Sequence, residues 1–163
     1  MTTLENSIFI EASPEQIWSV LGRLDALADY DPALAESRIV TSERSGLGAE
    51  RRCELKDGNW FRERVSEWQP QRAMAFELCE CSFPVRSLAH RYVLTPENGG
   101  TRVEQRMQYE LKLGLLGPVL DTLFMRRKWN AGIQAFFAGL KRRVESTISA
   151  PWRPADILGV ARS

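Results

Sequence analysis

Residues 117–146 read GPVLDTLFMRRKWNAGIQAFFAGLKRRVES, and this stretch decides the fold. It reads as one helix of about 30 residues, long enough to cross a small domain. Gly114 and Gly117 interrupt what precedes it, and Pro118 stands where a first helical residue needs no N–H donor. With Ile133 at the origin and a step of about 100° per residue, Val119, Trp129, Phe136, Phe137, Leu140 and Val144 fall within roughly 60° of it. Thr122 and Arg126 lie near the centre of the same face, with Asn130 at its edge. The face is greasy in its C-terminal half and carries polar groups in its N-terminal half, a pattern that suits a helix closing a pocket. Arg126 either joins that pocket or runs past the core to solvent along its apolar stem. Lys141, Arg142 and Arg143 complement the helix dipole in the last turns. Leu120 and Phe124 project from the opposite side. With Leu115 and Leu116 they make a second apolar surface, for a partner, a membrane or a lid, unless the adjoining loop or tail covers it.

The chain before this helix reads as a sheet. Leu4 to Glu11 is a first strand. Ser13, Pro14 and Gln16 then spell a capping box with proline at the first helical position, Ile17, Trp18, Val20 and Leu21 form the buried stripe, and Gly22 ends it. Asp25 is expected to cap a second short helix that stops before Pro32. Strands follow at Glu36–Glu43, Ala49–Lys56, Trp60–Trp68, Ala73–Cys79, Ser87–Thr95 and Thr101–Leu111. Asp57-Gly58-Asn59 is expected as a three-residue hairpin loop that sets Cys53 opposite Glu63. The last strand alternates most clearly, with Val103, Gln105, Met107 and Tyr109 against Arg102, Glu104, Arg106 and Gln108. The expected class is α+β, an antiparallel sheet with helices on one side.

At 163 residues the chain is one domain with room for a core. We expect a ligand-binding domain over 1–146 and a tail over 147–163 with Pro151, Trp152 and Pro154. The net charge of +1 argues against a nucleic-acid partner, and the basic turn Arg126-Arg127-Lys128 reads as solvated. No apolar run reaches membrane-spanning length and the first residues have no signal-peptide pattern, so stable membrane insertion is not expected. Three cysteines without framework spacing read as reduced thiols in the cytoplasm. Cys79-x-Cys81 lacks companions for a metal site, Gly46-x-Gly48 lacks the rest of a phosphate loop, and no G-x-S-x-G elbow occurs. No metal or cofactor is expected.

Four stretches carry a resemblance. They are Ala12-Ser13-Pro14-Glu15-Gln16-Ile17-Trp18 after the first strand; Glu63-Arg64-Val65-Ser66-Glu67-Trp68-Gln69-Pro70 at a strand end; Phe83-Pro84-Val85 before the strand closed by Thr95-Pro96; and Gly100-Thr101-Arg102-Val103-Glu104 opening the last strand. Over about residues 3–146 the chain resembles the START-like, helix-grip (SRPBCC) superfamily, most of all its bacterial polyketide cyclase/dehydrase branch. The resemblance implies a curved antiparallel seven-stranded sheet wrapped around the long C-terminal helix, with two short helices after the first strand. It also implies a deep cavity between sheet and helix for a lipid, polyketide or isoprenoid type of molecule. These motifs are structural and carry no catalytic signature.

Alternation places the cavity groups. If Val65 points inward, so do Glu63 and Phe61; if Leu88 and Leu94 do, so do His90 and Tyr92. The expected ligand-binding set is Phe61, Tyr92, Gln105, Met107 and Tyr109 from the sheet, with Thr122, Arg126, Asn130 and Ile133 from the helix. Glu63 and His90 are the catalytic candidates if the protein is an enzyme. Glu63, a carboxylate on a covered face, either serves a ligand or reaction with a raised pKa or is paired with Arg51 or Arg126. His90, the only histidine, either moves protons or is a satisfied ring in a semi-polar core. Three functions are open: transport or sequestration of a hydrophobic ligand, cyclase or aromatase chemistry, and macromolecular interaction through the Leu120/Phe124 surface. Oligomeric state is not readable.

Overall fold

The computed structural model describes residues 1–112 and 124–149. Strand β1 (Thr2–Ile10) is followed by helix α1 (Pro14–Leu21) and a 3-10 helix (Leu24–Asp29). Six strands come next: β2 (Leu34–Ile39), β3 (Glu50–Leu55), β4 (Trp60–Gln69), β5 (Ala73–Cys81), β6 (Val85–Glu97) and β7 (Gly100–Leu111). Helix α2 (Arg126–Ser149) ends the described chain. The seven strands form one antiparallel sheet in the order β1-β7-β6-β5-β4-β3-β2. The expected start of the long helix at Gly117–Pro118 and the expected tail beyond Ser149 lie outside the described residues. The helix runs to Ser149, three residues beyond the expected Ser146.

Local chemistry explains the elements near the site. The capping box forms: Ser13 Oγ accepts from the Gln16 N–H at 3.2 Å, and the Gln16 side chain accepts from the Ser13 N–H at 2.8 Å. Asp25 does not cap the 3-10 helix. Because that helix begins at Leu24, Asp25 lies inside it and its carboxylate faces Arg44 at 3.5 Å instead. Strand β2 starts two residues earlier and ends four earlier than expected, because Thr41 Oγ1 bonds back to the Glu43 carbonyl and turns the chain.

The β3–β4 hairpin differs in a way that matters below. The three loop residues are Lys56, Asp57 and Gly58: the Gly58 N–H donates to the Leu55 carbonyl, and the Leu55 N–H to the Asn59 carbonyl. Gly58 takes φ 86, a left-handed conformation that glycine adopts without strain. The loop sits one residue earlier than expected, which slides the pairing by two. Arg51, not Cys53, therefore stands opposite Glu63, and Cys53 opposite Phe61. An even slip keeps every side chain on its expected face.

The inner face of the sheet divides in two. At one end Val65, Met74, Phe76, Leu94 and Val103 are buried, with Phe137, Leu140 and Val144 of α2 and Ile17 and Leu21 of α1 in the same apolar cluster. Each such side chain contributes about 1.5–3 kcal/mol by leaving water. At the other end the wall of the cavity described below replaces this packing. Outward side chains on β3 and β4 form a separate ionic layer, with Glu50 held between Arg62 and Arg64.

Candidate functional site

Between α2 and the inner face lies a cavity of about 270 Å³. Its sheet wall comes from positions that alternation sets inward: Leu55, Phe61, Glu63, Leu78, Leu88, His90, Tyr92, Gln105 and Met107. Its helix wall is Met125, Lys128, Trp129, Gly132, Ile133 and Phe136. Leu27 and Asp31 reach it from the segment before β2, and Phe83 from the turn before β6. Exposed Asp57 and Lys128 face each other at 4.0 Å and mark its mouth. Trp129 lies over Tyr109 with ring centroids 4.6 Å apart and meets Phe83 edge-on at 6.3 Å. At the inner end Phe136 rests between Tyr30 and Tyr92, at 5.8 and 5.7 Å.

The polar groups are concentrated at that inner end. Arg51 Nε and a terminal guanidinium nitrogen approach Glu63 Oε1 at 2.7 and 2.6 Å. Glu63 Oε2 meets His90 Nε2 at 2.8 Å. All three residues are buried. The guanidinium also lies over the Phe76 ring at 4.3 Å, and that ring stacks with His90 at 5.0 Å. Gln105 Nε2 donates to the Tyr92 hydroxyl at 3.0 Å.

Burial drives the Glu63 carboxyl up, but the charge of Arg51 and the hydrogen bonds from His90 and Arg51 outweigh it and hold the pKa at about 2. Of the alternatives expected for Glu63, the pairing with Arg51 is the one that stands here, and the carboxylate is ionised and fully engaged. Burial raises the Tyr30 and Tyr92 phenols above their ordinary range, so both keep their protons. It also pushes the Cys53 thiol up to about 11, which makes it a small core residue rather than a nucleophile. His90 Nδ1, Gln105 Oε1 and Tyr30 Oη are buried without a partner among the described residues. Such atoms cost about 1–3 kcal/mol each when left unmade.

Of the expected ligand-binding residues, Phe61, Tyr92, Gln105, Met107 and Ile133 line the cavity, as do Glu63 and His90. Tyr109 is inward but buried, outside the cavity wall. Arg126 and Asn130 are exposed and stand off the wall. Each follows a cavity-facing residue, Met125 or Trp129, and one helical step of about 100° carries it away. Thr122 and Leu120 lie outside the described residues; Phe124 is 67% exposed. Leu55, Leu78 and Leu88 were legible as same-face neighbours of Phe61, Phe76 and His90. Asp31 and Phe83 carry no local signal.

Among the described residues no group of three or more metal-ligating side chains assembles, and no helix is long and apolar enough to cross a membrane. A second depression of about 440 Å³ is lined mainly by outward polar residues such as Glu5, Arg91, Glu104 and Arg106, without an apolar wall.

The model of the family described as "Polyketide cyclase / dehydrase and lipid transport" matches residues 1–145. The chain belongs to that family. Three solved structures show how widely its fold is shared. TTHA0849 from Thermus thermophilus is 22% identical with TM-score 0.78, over 91% of this chain and 100% of that one. A START superfamily protein from Mycobacterium smegmatis is 18% identical with TM-score 0.73, over 89% and 98%. The Zhui aromatase/cyclase from Streptomyces sp. R1128 is 15% identical with TM-score 0.73, over 91% and 96%. At these identities the likeness establishes the helix-grip fold of this family member and no more. No curated protein matches the chain.

Proposed function

We propose that this polyketide cyclase/dehydrase-family protein binds a hydrophobic or amphipathic small molecule between α2 and the sheet, for transport or sequestration. One observation carries the reading: a cavity of about 270 Å³, walled mainly by leucine, methionine and aromatic side chains, has its buried polar groups gathered at the inner end and charged residues at its mouth. Sites for small molecules are built this way, apolar for affinity and locally polar for orientation, usually at about 300–1,000 Å³. At about 270 Å³ the cavity lies just below that range, which favours a compact ligand over a two-chain lipid. The three cysteines form no disulfide, which supports a reducing compartment such as the cytoplasm.

One observation favours an enzymatic reading beside it. Glu63 orients the His90 ring, as a carboxylate orients an imidazole that moves protons in a cyclisation or dehydration. In that reading His90 is the proton carrier and Glu63 its positioning residue. Native mass spectrometry of protein purified from its source cell, before and after addition of an aryl polyketone, tests both readings. Binding predicts a co-purifying apolar molecule and an unchanged added ligand. Catalysis predicts an added ligand lighter by one water. Protein that emerges empty and retains no added apolar compound contradicts both.

A further inference from the structure

We infer that the polar end of the ligand is an uncharged hydrogen-bond donor, an alcohol or a phenol, and that the cavity rejects carboxylates. The inference rests on the reading of the cavity as a ligand site. Charge balance and two unspent acceptors carry it.

Arg51 is already neutralised. Two of its nitrogens are committed to Glu63 Oε1 at 2.7 and 2.6 Å, and its plane lies on Phe76. A ligand carboxylate would have to displace an internal carboxylate or add a second negative charge beside it in apolar surroundings, and both are unfavourable. Lys128, the cation on the helix wall, is exposed at the mouth, opposite Asp57.

The free polar atoms favour a donor. An ionised carboxylate only accepts, so the contact of Glu63 Oε2 with His90 Nε2 places a proton on Nε2. On that tautomer Nδ1 is a bare acceptor. A charged ring would set two cations against one carboxylate inside a mostly apolar cavity, which is costly. Gln105 gives one N–H to the Tyr92 hydroxyl, whose own proton is left to donate, and its Oε1 is a second bare acceptor. Both atoms are buried without a partner among the described residues. They belong to lining residues only 8% and 4% exposed. A hydroxyl supplies the missing donor and can also accept from the Tyr92 O–H, whereas an ionised carboxylate, an ether or a ketone can only accept.

The test is titration calorimetry of the whole protein with naphthol, its methyl ether and naphthoate, at about pH 8, where carboxylic acids are ionised and phenols are not. Naphthol is expected to bind at least about tenfold more tightly than either of the others, roughly the worth of one hydrogen bond to a buried acceptor. In Gln105→Met, which keeps the side chain's length, that margin is expected to shrink. The comparison of three ligands on the unaltered protein decides the matter even if the variant does not fold. Naphthoate or the methyl ether binding as tightly as naphthol overturns the inference and leaves the cavity reading intact. Failure of all three to bind overturns the cavity reading, and the inference with it.

Discussion

Gly132 and Gly139 lie two turns apart on α2, and their surroundings are opposite. A methyl group placed on Gly139 would lie 1.8 Å from the Tyr30 carbonyl oxygen, whereas one placed on Gly132 would meet nothing within 4 Å. At Gly139 the missing side chain is what lets the helix press against the chain beneath it. Gly132, which is exposed and lines the cavity, faces open space. The same helix thus closes the core with one half and roofs the cavity with the other. The two halves also cohere by different means. The packed half relies on apolar burial around Phe137, Leu140 and Val144, the hollow half on aromatic spacers at Trp129 and Phe136 and on the Arg51–Glu63–His90 cluster.

The largest effect is expected in the hollow half. Glu63→Gln leaves the buried Arg51 without its counter-ion and is expected to cost about 3–5 kcal/mol in urea unfolding. The pH profile sharpens the point. Glu63 has its pKa lowered from 4.5 to about 2 by folding, so its contribution is present above pH 4.5 and is lost as pH falls towards 2. The wild type is expected to lose stability across that window, and the variant to lose less. Equal midpoints for the two proteins would show that the cluster does not hold the hollow half together.

A smaller effect separates the glycines. Gly139→Ala is expected to cost about 2–3 kcal/mol, because backbone must move to admit one methyl group. Gly132→Ala is expected to stabilise by up to about 1 kcal/mol, since alanine is the better helix former and nothing resists it. Denaturation midpoints shifting in the same direction would remove the distinction between the halves.

Much of this was legible in residue order. The β7 alternation set Gln105 and Met107 inward because one face must avoid water while Arg106 seeks it, and the Ser13–Gln16 box marked α1 through local hydrogen bonds alone. Arg51 was harder. On β3 the run Glu50-Arg51-Arg52-Cys53 shows no apolar alternation, and only the true loop residues, Lys56 to Gly58, bring Arg51 opposite Glu63. Arg126 and Asn130 were misplaced because the wheel was centred on Ile133, whereas the cavity face is centred to one side of it, towards Met125, Gly132 and Phe136, and the two polar residues fall on the other side. Asp31 and Phe83 reach the cavity through tertiary folding, which leaves no local pattern.

The central claim is that the space beneath Gly132 is the ligand site. The direct measurement is naphthol titration of wild type, Gly132→Ala and Gly132→Phe, with unfolding midpoints recorded in parallel. The account predicts that wild type and the alanine variant bind alike. It predicts that the phenylalanine variant loses at least about tenfold in affinity, close to 1.4 kcal/mol, while unfolding no earlier than wild type. A Gly132→Phe protein that folds normally and binds naphthol as tightly as wild type would contradict it.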